Sequence, residues 1–284
     1  MSTIKSFKTK LFSGNVEIFN SAQEVVEVGR QRNITDSSFH DMHKPDEVDS
    51  KFCGGVKTFE EAEELMKTGY QPTVDRMKKG IKANVSGQGK RIAFRNEVVG
   101  FQPIVPLALQ GVPNCMVNTH MKPIKSKVLN IYYDMTASWS TSSESIIKAG
   151  QDILAAIMEL EMQGYKFNLY AIQTYFDGKT ADMLCTKIKS ANTPMDLKRI
   201  SFPLTHTAYF RVIGWDWYSR FPQGKYRSGY GHALGCDYDQ KQLSEAFEQI
   251  FHEKCIYFSA AKVIKETVDT IKEVLTNADD GRKK

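Results

Sequence analysis

Residues 128–172 read as an apolar strand, a long amphipathic helix and a second apolar strand. The first strand, residues 128–133, has no charged residue, which predicts a strand that is buried on both faces, as in a parallel sheet. The helix carries an apolar stripe that ends before Gly164, and the strand 167–172 follows at once. Because a helical connection between neighbouring strands makes them parallel, the pattern predicts a right-handed crossover in an α/β sheet.

The rest of the chain divides around this unit. With 284 residues, of which 41% are hydrophobic, the chain is long enough to bury one large core. We expect an N-terminal arm over residues 1–57, a helical and extended appendage over 58–127, an α/β domain over 128–276 and a disordered tail over 277–284. The predicted fold class is a Rossmann-like, three-layer α/β domain with a mainly parallel sheet, preceded by a helical and extended arm.

Local patterns predict three further features. Thr141 and Glu144 have the spacing of a capping box at the start of the long helix. Three prolines break the apolar residues of 92–116 into short runs, which is typical of strands or extended segments that cross a core. Lys187, within the otherwise apolar segment 183–188, predicts an edge strand.

The composition indicates neither a membrane anchor nor a disulfide framework. No apolar run approaches the roughly 20 residues that cross a bilayer, and the first residues lack the apolar core of a secretion signal. We therefore expect a cytoplasmic protein without a membrane partner. The five cysteines are an odd number and widely spaced, which favours free thiols over disulfides or a zinc site.

The turn after the first central strand offers oxygen ligands at regular spacing. Asp134, Thr136 and Ser138 follow that strand at the edge of the sheet where α/β folds bind ligands. One carboxylate and two hydroxyls suit a hard cation such as Mg²⁺. In the structural alternative, Asp134 caps the turn and the two hydroxyls bond to nearby backbone groups. The residues alone leave both roles open.

A basic segment precedes the central unit. Between Lys67 and Arg95 there are eight basic residues and one acid, Asp75. Such a segment is typical of a surface that faces nucleic-acid phosphates, or of a solvated helix face followed by a turn. The predicted nucleic-acid contacts are Arg76, Lys78, Lys79, Lys82, Lys90 and Arg91.

The turn at Asp134 resembles the metal-ion-dependent adhesion site of von Willebrand factor A domains, whose pattern is Asp-x-Ser-x-Ser. Thr136 departs from that pattern but retains the hydroxyl. The resemblance implies a von Willebrand A-type domain and a further threonine ligand, for which Thr207 has the right chain order, with Thr205 as the alternative. The metal ligands that it implies are Asp134, Thr136, Ser138 and Thr207. The family's distal aspartate has no clear counterpart.

A wider resemblance, over residues 58–235, is to an uncharacterised protein family of bacteriophage and prophage genomes. The segments that carry it are 67–70, 111–116, 145–150, 160–165, 196–210 and 229–231. The resemblance implies a phage or prophage origin and supplies no activity. The expected partner is then a phage or host protein, met in the host cytoplasm or in the virion.

These observations support three functional hypotheses. The preferred one is a protein-interaction module that presents the Asp134 turn to its partner, because the turn has ligand-type residues without a complete catalytic set. The second is nucleic-acid binding through the basic segment. The third is a metal-dependent hydrolase or nuclease in which Asp134 shares the cation with an acid such as Asp237, beside His232 and Asp239.

Overall fold

The computed structural model describes residues 2–44, 46–84, 92–121, 127–138, 140–225 and 232–280. The strands are β1 Thr3–Lys8, β2 Ser13–Phe19, β3 Ile92–Glu97, β4 Gln102–Pro103, β5 Met116–Met121, β6 Lys127–Asp134, β7 Tyr165–Phe176, β8 Thr180–Lys189 and β9 Ile256–Ser259. The helices are α1 Ala22–Arg30, α2 Phe59–Thr68, α3 Gln71–Asn84, α4 Val105–Leu109, α5 Ser143–Met162, α6 Leu197–Thr205, α7 Trp215–Ser219, α8 Gln240–Phe251, α9 Ala260–Val263 and α10 Val268–Asp280, with a π-helical turn at Tyr209–Gly214 and a 3₁₀ turn at Leu234–Cys236. Over the described ranges, none of these helices combines the length and the apolar character that a membrane span requires.

The main sheet has six strands in the order β1-β2-β8-β7-β6-β9. β6 lies parallel to both β7 and β9, and β2 lies parallel to β8. The β1/β2 and β7/β8 pairs are antiparallel, so the sheet is mixed. The predicted crossover is confirmed, because α5 connects the parallel neighbours β6 and β7. The chain is therefore an α/β protein with a Rossmann-like central sheet.

The sheet separates two apolar cores, which makes three layers. Alternate residues of β6 belong to opposite cores: Ile131 and Tyr133 to the larger one, and Tyr132 to the smaller one. The larger core also contains the apolar faces of α5 and α6, and the smaller one contains that of α8. The side chain of Asp134, two residues after Tyr132, therefore points to the side of the smaller core.

The predicted N-terminal arm is instead part of the main sheet. β1 is an edge strand of this sheet and β2 lies next to it, and Val16 and Phe19 of β2 are buried in the two cores. The carboxylate of Glu17 is fully buried and accepts two hydrogen bonds from Arg32, at 2.8 and 2.7 Å, and one from Trp217 Nε1 at 2.8 Å. This network ties β2 to distant parts of the chain, which a separate arm would not do.

The expected edge strand at 183–188 is an interior strand. β8 lies between β2 and β7, and its side chains are almost all buried. Lys189 is accommodated because its ammonium lies 2.7 Å from the Glu161 carboxylate. Lys187, the lysine that suggested an edge, is half-buried with its ammonium 5.8 Å from the centre of the Tyr170 ring, so both lysines are compatible with a central strand.

Two other predictions about element ends are corrected. The N-cap of α5 is Ser142, whose hydroxyl accepts from the backbone N–H of Ser145, so the helix is capped one residue later than predicted and the capping box predicted at Thr141 and Glu144 is wrong. Residues 277–280 of the predicted disordered tail continue α10, and 281–284 lie outside the described residues.

The appendage contains a second sheet of three strands in the order β3-β5-β4, with α4 between β4 and β5. Burial is described for residues 96–118, and none of them is buried. The predicted strands are confirmed by β3, β4 and the start of β5, whereas α4 is a helix that the prolines did not indicate, and the alternative of extended segments over a core is wrong for residues 96–116. Their apolar side chains are exposed or only half-buried.

We predict that Gly150→Ala destabilises the fold. A Cβ at Gly150 of α5 would lie 2.4 Å from the carbonyl oxygen of Leu204 and 2.7 Å from Cα of Thr205, which are both backbone atoms of α6. Alanine favours a helix by about 1 kcal/mol over glycine, but this overlap forces the two helices apart. We expect a net loss of about 1–3 kcal/mol in the free energy of unfolding, measured with urea. Lys148→Ala, at an exposed position of the same helix, is the control and should change stability little.

Candidate functional site

The Asp134 carboxyl group is enclosed by hydrogen-bond donors from three chain segments. Its Oδ1 accepts from the backbone N–H of Thr136 at 2.9 Å. Its Oδ2 accepts from the hydroxyl of Thr174 on β7 at 2.7 Å and from the hydroxyl of Tyr257 on β9 at 2.6 Å. Asp134 has no solvent exposure. Both of its oxygens therefore serve the protein itself.

Burial sets the protonation of this group. Removal from water raises the pKa of the Asp134 carboxyl, and the bonds from Tyr257, Thr136 and Thr174 oppose that effect without cancelling it. Tyr257 is equally buried, and its pKa is raised well above the ordinary value. In the folded chain, burial therefore favours the neutral form of this carboxyl more than water does for an exposed aspartate, and the group is closed to solvent.

The two hydroxyls of the turn have different surroundings. The hydroxyl of Thr136 is buried, where it accepts from the backbone N–H of Thr174 at 2.8 Å and donates to its carbonyl at 3.3 Å. The hydroxyl of Ser138 is exposed and lies 3.0 Å from that of Ser140. Thr136 therefore has the structural role that the sequence left open, and only Ser138 faces solvent.

Thr207, the fourth predicted ligand, does not join the turn. Its buried hydroxyl has no hydrogen-bond partner among the described residues, and it lies 2.6 Å from where a Cβ at Gly54 would be. The adjacent His206 is also buried, and desolvation lowers its pKa to about 4. No hydrogen bond joins Thr207 to Asp134, Thr136 or Ser138 among the described residues, and Mg²⁺ binding by the predicted set stays a prediction. The described part of the chain contains no cluster of three or more His, Cys, Asp or Glu that would hold a metal ion.

The acids of the hydrolase hypothesis have other roles. Asp237 lies with its Oδ2 2.6 Å from Nε2 of His232, in an exposed pair. Asp239 is the N-cap of α8 and forms a capping box with Gln242. Both carboxylates are therefore engaged by groups other than Asp134, and a cation shared with Asp134 stays a hypothesis.

The basic segment is only partly described. Arg76 is engaged by Gln151 and by Asp152, with 3.0 Å to the carboxylate of the latter. Lys78 and Lys79 are exposed on α3. Lys82 lies on α3, with its side chain outside the described part, and Lys90 and Arg91 lie outside the described residues. The arrangement of the full set as a phosphate-binding surface stays a prediction.

Among the described residues, six of the eight exposed large apolar side chains lie in the appendage. They form what we call the appendage surface: Val98, Val99, Phe101, Val105, Leu109 and Val112, whose exposed fractions run from 37% for Val112 to 84% for Leu109. From Val98 to Met116 the sequence has no charged residue. Soluble proteins seldom expose so many large apolar side chains in one short segment unless another molecule covers them.

The sequence reasoning did not identify this surface. The available signal was the length of the uncharged stretch, in which prolines prevent the regular alternation that a strand with one buried face shows. A periodic pattern would have indicated a buried face. The segment lacks both a periodic pattern and charged residues, and this combination distinguishes it from the strands of the main sheet.

Comparison with known proteins adds a family and no activity. A family model described as a domain of unknown function (DUF7192) matches residues 12–278. The match begins within the predicted N-terminal arm and includes the appendage, in agreement with the integration of β2 into the main sheet. Neither the curated proteins nor the solved structures gave a match.

We predict that the Asp134 carboxyl makes the wild type less stable as pH rises and that Asp134→Asn lacks this effect. The unfolded chain releases the Asp134 proton near the ordinary pKa of about 3.9, whereas the folded protein releases it at a higher pH. The protonated carboxyl therefore contributes its full stabilisation below the unfolded pKa, and this contribution is lost as pH rises through the folded pKa. The free energy of unfolding of the variant relative to wild type should rise by up to about 1.4 kcal/mol per unit of pKa shift, as measured with urea from about pH 4 to about pH 7.

The exposed Asp75→Asn is the matched control and should show no such trend. If Mg²⁺ raised the melting temperature of the wild type and not that of Asp134→Asn, the carboxylate would be a metal ligand and our interpretation would be wrong.

Proposed function

We propose that this chain, which belongs to the DUF7192 family, is a protein-interaction module that binds its partner through the appendage surface. The observation that carries the proposal is that residues 96–118 bury no side chain while exposing six large apolar ones. The preferred hypothesis from the sequence is thereby kept, but its contact surface moves away from the Asp134 turn.

The energetics of a small sheet support this proposal. Three strands are stable only when an apolar face is covered, because backbone hydrogen bonds alone do not compensate the loss of chain entropy. α4 has no buried residue and does not cover the sheet in the way that α5 covers β6 and β7. A partner that covers Phe101 and Leu109 would supply the missing burial, at about 25 cal/mol for each Å² of apolar area removed from water.

The chemistry of the surface defines its partner. An uncharged apolar surface matches another apolar surface without charges, since a charge placed against it would lose its water without gaining an ion pair. The partner therefore presents aliphatic or aromatic side chains, and its binding should change little with salt. In the phage setting that the sequence suggests, that partner is a phage or host protein.

The proposal includes a von Willebrand A-like fold for the main domain, and the order and directions of its strands support it. A buried strand, β6, is followed by the long helix α5 and by the parallel strand β7, with β8 antiparallel to β7 and β9 on the other side of β6. In such domains the turn after the first strand contacts the ligand. Here the buried Asp134 makes that turn a structural element, and the domain serves to hold the appendage.

Nucleic-acid binding has less support from the contacts. Of the predicted residues, Arg76 is engaged by a carboxylate, while Lys78 and Lys79 are exposed on α3. Two exposed lysines on one helix are also what an ordinary solvated face presents. The appendage surface differs from these lysines because it carries no charge, and an uncharged apolar surface is not typical of an ordinary solvated face.

The proposal is tested by site-specific photo-crosslinking in the cells that produce the protein. We expect a benzoylphenylalanine at Phe101 or at Leu109 to form a defined adduct with the partner. At Met162, an apolar residue with 44% exposure on α5, the same group should form none. Leu109→Asp should reduce the adduct at Phe101 at least about tenfold, because burying an unpaired charge costs more than about 1.4 kcal/mol.

Three results would be decisive. Adducts at 101 and 109 that are no more abundant than at 162 would contradict the proposal. An adduct at 101 that survives Leu109→Asp would show that the contact does not use this surface. An adduct with twice the mass of the chain would support the proposal and identify the partner as a second copy.

A further inference from the structure

A stack of aromatic rings crosses the smaller-core face of the main sheet. Phe251 of α8 stacks on Tyr132 of β6 with 4.4 Å between the ring centroids, and Tyr132 stacks on Tyr170 of β7 at 4.5 Å, with the ring planes 6° apart. On the β8 side, the Tyr170 ring meets no further ring among the described residues, and the Lys187 ammonium lies over it at 5.8 Å from the centroid. The stack therefore ends in a ring that another flat aromatic group can extend.

The sheet around this last ring is open to solvent. Because side chains alternate along a strand, four residues of β7 point to this face, namely Ile172, Tyr170, Asn168 and Lys166. Their burial decreases in that order, from full burial at Ile172 to exposure at Lys166, with the two between them half-buried. Phe247 of α8 packs on Tyr132 and Tyr257, which belong to β6 and β9. The helix therefore covers that side of the face and leaves the start of β7 open.

The open part of the face carries positive charge. Neither Lys166 nor Lys187 pairs with a carboxylate within the described part of the chain. Glu253, an acid beside the stack, is engaged because its Oε1 accepts the Tyr132 hydroxyl at 2.7 Å. Lys187 is the cross-strand neighbour of Tyr170, and Lys166 lies four residues earlier on β7, which corresponds to about 13 Å along the strand. One phosphate group cannot contact both lysines across that distance, but an extended chain of phosphates can.

We propose that a single-stranded nucleic acid binds along β7 on this face, with one base stacked on Tyr170 and with phosphates at Lys187 and Lys166. A nucleobase is the flat group that extends the stack, and single strands present bases whose faces are not covered by neighbours, which a duplex does not. Asn168, between the two lysines, places an amide where it can meet a base edge or a sugar.

The proposed surface is distinct from the basic segment. Met77 of α3 is buried in the larger core, so Lys78 and Lys79 of that helix lie on the other side of the sheet from Tyr170. The surface also differs from the appendage surface, which is uncharged. The inference therefore goes beyond the interaction function and does not depend on it.

The test is binding of short, fluorescently labelled oligouridine and oligothymidine to the full chain, measured by anisotropy over a range of salt concentrations. We expect binding that weakens as salt rises, because phosphate contacts release counterions. Tyr170→Leu should lower the affinity at least about fivefold through the lost stacking, whereas Tyr170→Phe should retain it. Lys166→Gln should lower the affinity and reduce the salt slope by about 0.7. The exposed pair Lys78→Gln/Lys79→Gln on α3 is the control and should behave like the wild type.

Each outcome decides the proposal. Absence of binding, or equal affinity in the wild type and Lys166→Gln, would overturn it, and because Lys166 is exposed this variant leaves the fold intact. Affinity that is lost only in the α3 control would place the nucleic acid on the basic segment and also overturn it. A duplex that binds as tightly as the single strands would contradict the stacking on Tyr170. A preference for oligouridine or for oligothymidine, when sensitive to Tyr170→Leu, would support the site and identify the ligand as RNA or DNA.

Discussion

The structure depends on three parallel strands whose carboxyl ends are joined by one carboxyl group. Asp134 ends β6 and receives the hydroxyls of Thr174 on β7 and Tyr257 on β9. Parallel neighbours come from distant parts of the chain, so their relative register must be fixed by specific contacts. A buried carboxyl with its acceptors filled provides such a contact, because a displaced register would leave polar groups unpaired in the core.

The central crossover was predictable because its signals are local. The uncharged strand, the helical stripe of α5 and the strand β7 lie within about 50 residues, and each has the periodicity of its own structure. The N-terminal strands were not predictable in this way, because β2 pairs with β8, whose residues begin at Thr180. The position of β8 in the sheet was also hidden, because the sequence does not show that Glu161 neutralises Lys189.

The residues of the candidate sites were visible in the sequence, but their exposure was not. Asp134 has the same spacing to Thr136 and Ser138 whether its carboxyl faces water or the core, and the donors that enclose it are contributed by other strands. Likewise, the apolar residues from Val98 to Val112 have the composition of a core segment. Whether such residues are buried depends on what packs against them, which is a property of the tertiary structure and of the partner.

The pairing of β2 with β8 also constrains the order of events during translation. Ser13 leaves the ribosome long before Thr180, its partner in the sheet, has been synthesised. A two-stranded hairpin is marginally stable in water, so β1 and β2 wait as an unfinished edge while the crossover between β6 and β7 assembles. Since β2 can join the sheet only after β8 has been synthesised, the chain's first strands present an unpaired edge throughout that interval, and an unpaired edge is open to wrong pairing.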